Sequence, residues 1–199
     1  MDPIYLKIWE LAKPYYEQGR VYDIPHIEWM MEKANGIADT EQVDKKLLLP
    51  VVILHDVGYS AVKESNPNIK DQSSKIIHMR EGAKIAEEIL GKVGYDGGLK
   101  NKIVYYISVH DNWVLGDDKP FKECKEMAIF NDLDFLWGIS SYGQFILNGQ
   151  SMGKTPQEAY AWWLQDEKLE RRPFCCETTK VMFADYMKER KTDIEKQIN

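Results

Sequence analysis

LLLPVVILHDVG, residues 47–58, is an apolar run that ends on a His-Asp pair. The eight residues from Leu47 to Leu54 are too few to cross a bilayer, which takes ~20. They fit a helix buried inside a helical protein. His55 continues the face of Leu48 and Val52, and Asp56 follows at once. Successive helical residues stand ~100° apart, so both side chains can serve one ligand only if it lies over the helix end. Gly58 reads as the stop just beyond it. The pattern predicts a helix over Thr40 to Val57.

On either side the periodicity is helical almost throughout. Alternating strand-type runs are missing, and so are closely spaced hairpin turns. A first helix is expected from Pro3 to Gln18, kinked or shortened by Pro14. Gly19–Asp23 forms a loop, and Asp23 caps a second helix with Pro25 in its first turn. Tyr59–Gln72 reads as a long loop, of a length often tied to function. Further helices are expected over Ser73 to Leu90, Leu99 to His110, Lys122 to Trp137, Thr155–Arg171 and Thr178–Gln197. The fold class is all-α, with mostly antiparallel helices around one core. One domain over 1–199 is expected, its motif core at about 20–140 and a helical extension at about 150–199.

Composition narrows the function. Hydrophobic residues make up 44% and charged residues 29%, ordinary globular usage. Acidic residues number 32 against 26 Lys and Arg, a net charge of −6. That argues against nucleic acid or an anionic membrane as partner, since both need clustered positive charge. The opening MDPIYLKIWE carries charges where a secretion signal needs apolar residues. Three cysteines cannot all pair, and no Cys-x-x-Cys occurs. A reduced, cytoplasmic protein is expected. Whether it forms a homo-oligomer is left open.

The four histidines are placed in a telling way. His26 shares a face with Met30, Ala34 and Ile37, His78 with Gly82, Ile85 and Ile89, and His110 with Ile103, Tyr106 and Ile107. With His55, four imidazoles on four separate helices should point inward. Each alone reads as a core histidine with a local hydrogen bond. Together with carboxylates, they read as ligands of a metal ion. Asp56 is one such carboxylate. A second comes from Asn131-Asp132-Leu133-Asp134, and periodicity does not choose between Asp132 and Asp134. An acid on an apolar face is costly unless paired or ligating.

The order His26, His55-Asp56, Asp134 resembles the HD-domain superfamily of metal-dependent phosphohydrolases. LLLPVVILHDVG is similar to the family's His-Asp helix, HMREGAKIAEEIL to its next helix, and IVYYISVH and IFNDLDFLWG to those that follow. The resemblance covers about Asp23 to Gly138 and implies an antiparallel HD-type helical bundle with additional C-terminal helices. It maps the last ligand to Asp134, with Asp132 as runner-up. It implies His26, His55, Asp56 and Asp134 around one ion. The additional His78 and His110 resemble binuclear members, in which Asp56 would bridge and these two histidines would hold the second ion; the alternative is a mononuclear site where they contact a phosphate or protonate a leaving group. The implied cofactor is a divalent metal (Mn, Fe, Ni, Co or Mg, one or two ions). The implied reaction is hydrolysis of a small phosphorylated substrate, nucleotides first, by metal-activated water, with Asp56, His78 and His110 as catalytic residues. Two alternatives are a di-iron oxygenase on the same ligands and a non-enzymatic binding module. Two positions depart from many relatives: Trp29 stands where Arg is common, and Tyr59 where His or Lys follows the glycine.

A phosphate substrate calls for cations at the mouth of the site. Arg80 is the first candidate, for its bidentate grip on phosphate. Lys63 and Asn112 are also expected substrate contacts, and Arg20 is a further cation near His26. Trp162-Trp163 reads as core packing before ligand stacking. Lys168, Arg171 and Arg172 read as a solvated basic helix end.

Overall fold

The computed structural model describes residues 1–62 and 72–198, and these form helices and turns without a strand. The fold is all-α. It falls into two compact units, Met1–Phe130 and Asn131–Asn199. The division falls within the helix Lys125–Trp137.

The first unit begins with α1, Pro3–Gln18. Asp2 caps it by accepting from the Ile4 N–H, and Tyr5, Ile8, Ala12 and Tyr16 form its buried stripe. Pro14 does not shorten it. After the 3-10 turn Val21–Asp23 comes α2, Ile24–Glu41. This helix runs past the expected start of the next one. It ends at Gln42, which takes the left-handed conformation at φ 53°.

Helix α3 is Lys45–Leu54, with Asp44 as N-cap, and every residue from Leu47 to Leu54 is buried. It is shorter at both ends than the periodicity predicts. Pro50 lies inside it and cannot donate to the Lys46 carbonyl one turn back. The Tyr95 hydroxyl donates to that carbonyl instead, at 2.8 Å. The carbonyl left without its helical donor is thereby satisfied.

Val57–Ala61 is a second 3-10 turn, followed by α4, Gln72–Lys92, and α5, Gly97–Val109. The α3 helix packs on α1, α2 and α5, while α4 packs on α5 and on the Val57–Ala61 turn. Two helices, α6 (Lys119–Glu123) and α7 (Lys125–Trp137), replace the single one expected over Lys122 to Trp137. Cys124 separates them in an extended conformation, φ −136° and ψ 117°.

The second unit takes the end of α7 and adds α8 (Tyr142–Ser151), α9 (Pro156–Trp163), α10 (Glu167–Arg171) and α11 (Glu177–Ile198). Sequence reading missed α8, whose N-cap is Ser141. The helix expected over Thr155–Arg171 is two, opened by a Thr155–Glu158 capping box and broken after Trp163. Trp163 is core, with its ring 4.7 Å from that of Phe135.

Lys168 and Arg172 are buried, contrary to a solvated helix end. Lys168 Nζ donates to Asp132 Oδ1 and to the Arg172 carbonyl. The other oxygen of Asp132 accepts from Thr179 Oγ1 at 2.7 Å and from the Cys175 N–H at 3.0 Å. A buried carboxylate thus collects a cation and two further donors.

No helix among the described residues is long and apolar enough to cross a membrane.

Candidate metal centre

The ends of α3 and α5 have one construction. His55 and His110 are the C-cap residues, each followed by an aspartate that leaves the helix. Asp56 has φ −101° and ψ 2°, Asp111 has φ −110° and ψ 14°, and each leads into a 3-10 turn. His-Asp therefore occurs twice, at 55–56 and 110–111. The second copy is plain in the sequence but escapes notice when only the family pattern is sought.

Backbone carbonyls fix the imidazoles. His55 Nδ1 lies 2.9 Å from the Val52 carbonyl and His110 Nδ1 lies 2.7 Å from that of Ile107. His78 Nδ1 lies 3.3 Å from the Ser74 carbonyl. A carbonyl only accepts, so each Nδ1 carries a proton and each ring turns its Nε2 inward, where the neutral, metal-ligating form offers a lone pair. These lone pairs converge on Asp56. His55 Nε2 is 3.4 Å from Asp56 Oδ2, and His78 and His110 Nε2 are each 3.5 Å from Oδ1. The His78 and His110 Nε2 atoms are 3.0 Å apart. Two inward lone pairs at that distance repel unless a cation lies against them. The donor set therefore fits a bound metal ion.

Two buried groups have ligand atoms within 4.8 Å of one another: Asp56 with His78 and His110, and Asp23 with His26 and Asp56. Asp56 belongs to both. Burial alone would raise its pKa, but His55 and His110, which donate to it from Nε2 when protonated, together with Arg20 outweigh that and hold it well below the usual carboxylate range. Burial lowers the pKa of His78, which favours the neutral, ligating form.

Asp23 joins a candidate ligand group where sequence reading gave it a cap. It makes no capping hydrogen bond, and its Oδ1 accepts from Arg20 Nη2 at 2.8 Å. Burial, reinforced by Asp56 and opposed by Arg20, pushes its pKa up to about 7.

Among the described residues, Arg20 and Lys75 place cations beside the centre. Lys75 Nζ donates to Asp111 Oδ2 at 2.5 Å, and that oxygen is 3.3 Å from His78 Nε2. Arg80 faces away. Its side chain is 63% exposed and Nε donates to Glu81. Two residues on from His78 is ~200° around the helix, so one helix cannot aim both at the site. Asn112 donates to Asp117 from the turn after Asp111 and has no contact with the histidine cluster among the described interactions. Lys63 lies outside the described residues.

Gly58 sets the spacing. A Cβ there would stand 1.9 Å from the His78 carbonyl oxygen and 2.5 Å from the Gly82 N, both backbone atoms that cannot rotate away. Only glycine lets the turn after Asp56 lie against α4. Gly58→Ala is therefore expected to destabilise the protein by about 3 kcal/mol or more, at or beyond the upper end for overpacking, and to weaken metal retention. Urea denaturation and metal analysis of the purified variant check both effects.

Asp134 lies near the end of α7, in the second unit, and is half-buried. Both oxygens of its rival Asp132 are occupied as described above.

A family model described as the HD domain matches residues 24–188. Comparison with curated proteins gave no match. Comparison with solved structures gave none either. The match begins on the first residue of α2, two positions before His26, takes in every histidine of the cluster, and extends into α11. It covers well over half of the 199 residues, so the chain belongs to the HD-domain family.

Proposed function

We propose that this protein is a metal-dependent phosphohydrolase acting on a small phosphate ester, with nucleotides as the first class to test. The observation that carries the reading is the convergence of three carbonyl-fixed imidazoles on the buried, ionised Asp56. His26, His55, Asp56 and Asp134 would hold one divalent ion, and Asp56, His78 and His110 a second. Asp134 is favoured over Asp132 because Lys168, Thr179 and Cys175 already occupy the latter. Nitrogen and oxygen donors of this kind suit Mn, Fe, Ni, Co or Mg.

When bound, such an ion makes water acidic enough to yield hydroxide near neutral pH and polarises a phosphoryl oxygen. The chain's own residues prepare the rest. Carbonyl anchoring of Nδ1 sets the tautomer and aim of each ring, so no reorganisation is needed on binding. Arg20 and Lys75 place positive charge beside the centre, and their pairing with Asp23 and Asp111 keeps both side chains in position. These are the cations to which an incoming phosphoryl group would be drawn, in place of the exposed Arg80.

The test is direct. Protein purified without chelators and loaded with Mn²⁺ should release inorganic phosphate from an aryl phosphate or from members of a nucleotide panel. Chelation should abolish release and Mn²⁺ should restore it. Inactivity of fully loaded protein across both sets of esters would reject the proposal, and oxygen consumption by iron-loaded protein would replace it with oxygenase chemistry.

A further inference from the structure

Tyr59 is 3% exposed, yet its hydroxyl has no hydrogen-bond partner among the described residues. Such a hydroxyl is costly to bury, so an unpaired one asks for an explanation. Its surroundings are specific. The ring stacks on His78, with centroids 4.2 Å apart and planes 6° from parallel. The Arg20 guanidinium carbon lies 4.1 Å from the same centroid. An aromatic ring has only two faces, so Tyr59 is held between a site imidazole and a site cation. Gly58, the residue before it, fixes the turn against α4 as shown above.

The charges acting on the hydroxyl are those of Lys75, Asp56, Asp111 and Arg20. A second buried donor in this corner, Arg20 Nε, also has no acceptor among the described residues. Arg20 meanwhile gives Nη2 to Asp23 and Lys75 is paired with Asp111. The corner thus holds two unsatisfied N–H and O–H donors beside two cations, next to the His-Asp centre. Among the described residues no acceptor meets either donor, and an anionic oxygen placed between them would be one.

We infer that the Tyr59 hydroxyl is a substrate-binding group that donates a hydrogen bond to an oxygen of the substrate's phosphoryl group, with Arg20 Nε as its neighbouring donor. This rests on the phosphate-ester reading and deepens it. It gives a role to the position where many relatives carry His or Lys. A phenol offers a neutral donor on a rigid ring, so the chain positions the oxyanion there without adding a third cation.

The test uses the full chain loaded with Mn²⁺, comparing wild type with Tyr59→Phe, which keeps both stacked faces and removes only the hydroxyl. The probe is inorganic phosphate, with binding followed by calorimetry and turnover followed on an aryl phosphate. A hydrogen bond to a charged group predicts phosphate affinity weakened roughly tenfold or more. Metal content should be unchanged. The melting temperature without phosphate should be equal or higher, because an unsatisfied buried hydroxyl has been deleted. A merely structural tyrosine would not move binding and stability in opposite senses. Unchanged phosphate affinity in Tyr59→Phe, or a lower melting temperature, would overturn the inference, the second because it would reveal an internal partner for the hydroxyl. Wild-type protein that hydrolyses esters while Tyr59→Phe matches it in both assays removes only this inference. Wild-type protein that neither binds phosphate nor hydrolyses any ester removes the phosphohydrolase reading with it.

Discussion

Asp56→Ala should lose bound metal and phosphatase activity together while its far-UV circular dichroism stays close to that of the wild type. Asp56 is the one side chain common to both buried groups of metal-ligating residues, and three imidazole Nε2 atoms lie 3.4 to 3.5 Å from its oxygens. Removing it deletes the anion on which the cluster converges. The histidines would keep their Nδ1 anchors and would face one another with lone pairs only. Metal affinity should fall by more than the ~100-fold at the upper end for loss of a second-shell partner, and turnover should follow it. The helices should survive because Asp56 lies beyond the last residue of α3, and alanine keeps the backbone carbonyl that accepts from the Tyr59 N–H. A stability cost of about 1–3 kcal/mol is expected from the buried nitrogens left without a partner. Metal analysis, ester hydrolysis and circular dichroism on one preparation decide the matter. Full metal content with full turnover would place the chemistry elsewhere in the chain.

The parts of this centre legible in the sequence are those that helical periodicity can address. His26, His78 and His110 lie on apolar stripes, and the Leu47–Leu54 run announces a buried helix that ends at His55. All four prove buried. Periodicity fails where a side chain's role depends on residues distant in sequence. Asp23 looks like a helix cap because it precedes an Ile-Pro helix start, but its carboxylate is drawn to Arg20. Lys168 and Arg172 look like a solvated end because nothing nearby in sequence shows that Asp132 and Asn131 await them. Arg80 stands two residues from His78 in sequence, but a two-residue step on a helix turns a side chain away. The helix boundaries slipped for a local reason. Gln42 carries a positive φ without being glycine, and Cys124 is extended without being a recognised breaker. Neither break has a marker in the residue type.

Lys168→Met should be the most destabilising single change in the second unit, at about 3–5 kcal/mol. The Lys168 side chain is 1% exposed and Asp132 is 2% exposed, so the pair is shielded from water. Its ammonium also lies 4.0 Å from the Phe174 ring centroid and 5.6 Å from that of Phe135. Methionine would fill much of the same volume and retain the contact with both rings, so the loss isolates the charge. Asp132 would remain buried with the Thr179 hydroxyl and the Cys175 N–H but without a cation. Deleting one partner of a buried pair is costly for this reason, whereas deleting both is not. The double variant Lys168→Met with Asp132→Asn should therefore recover a large share of the lost stability, although Asn cannot accept at both former oxygens. Urea denaturation of wild type, both single variants and the double variant forms a thermodynamic cycle whose coupling term measures the pair. A single-variant loss below about 1 kcal/mol would put the pair in the range of exposed surface bridges. That outcome would contradict the buried environment from which Asp132 is judged to be occupied, and Asp132 would then return as a rival to Asp134 for the metal.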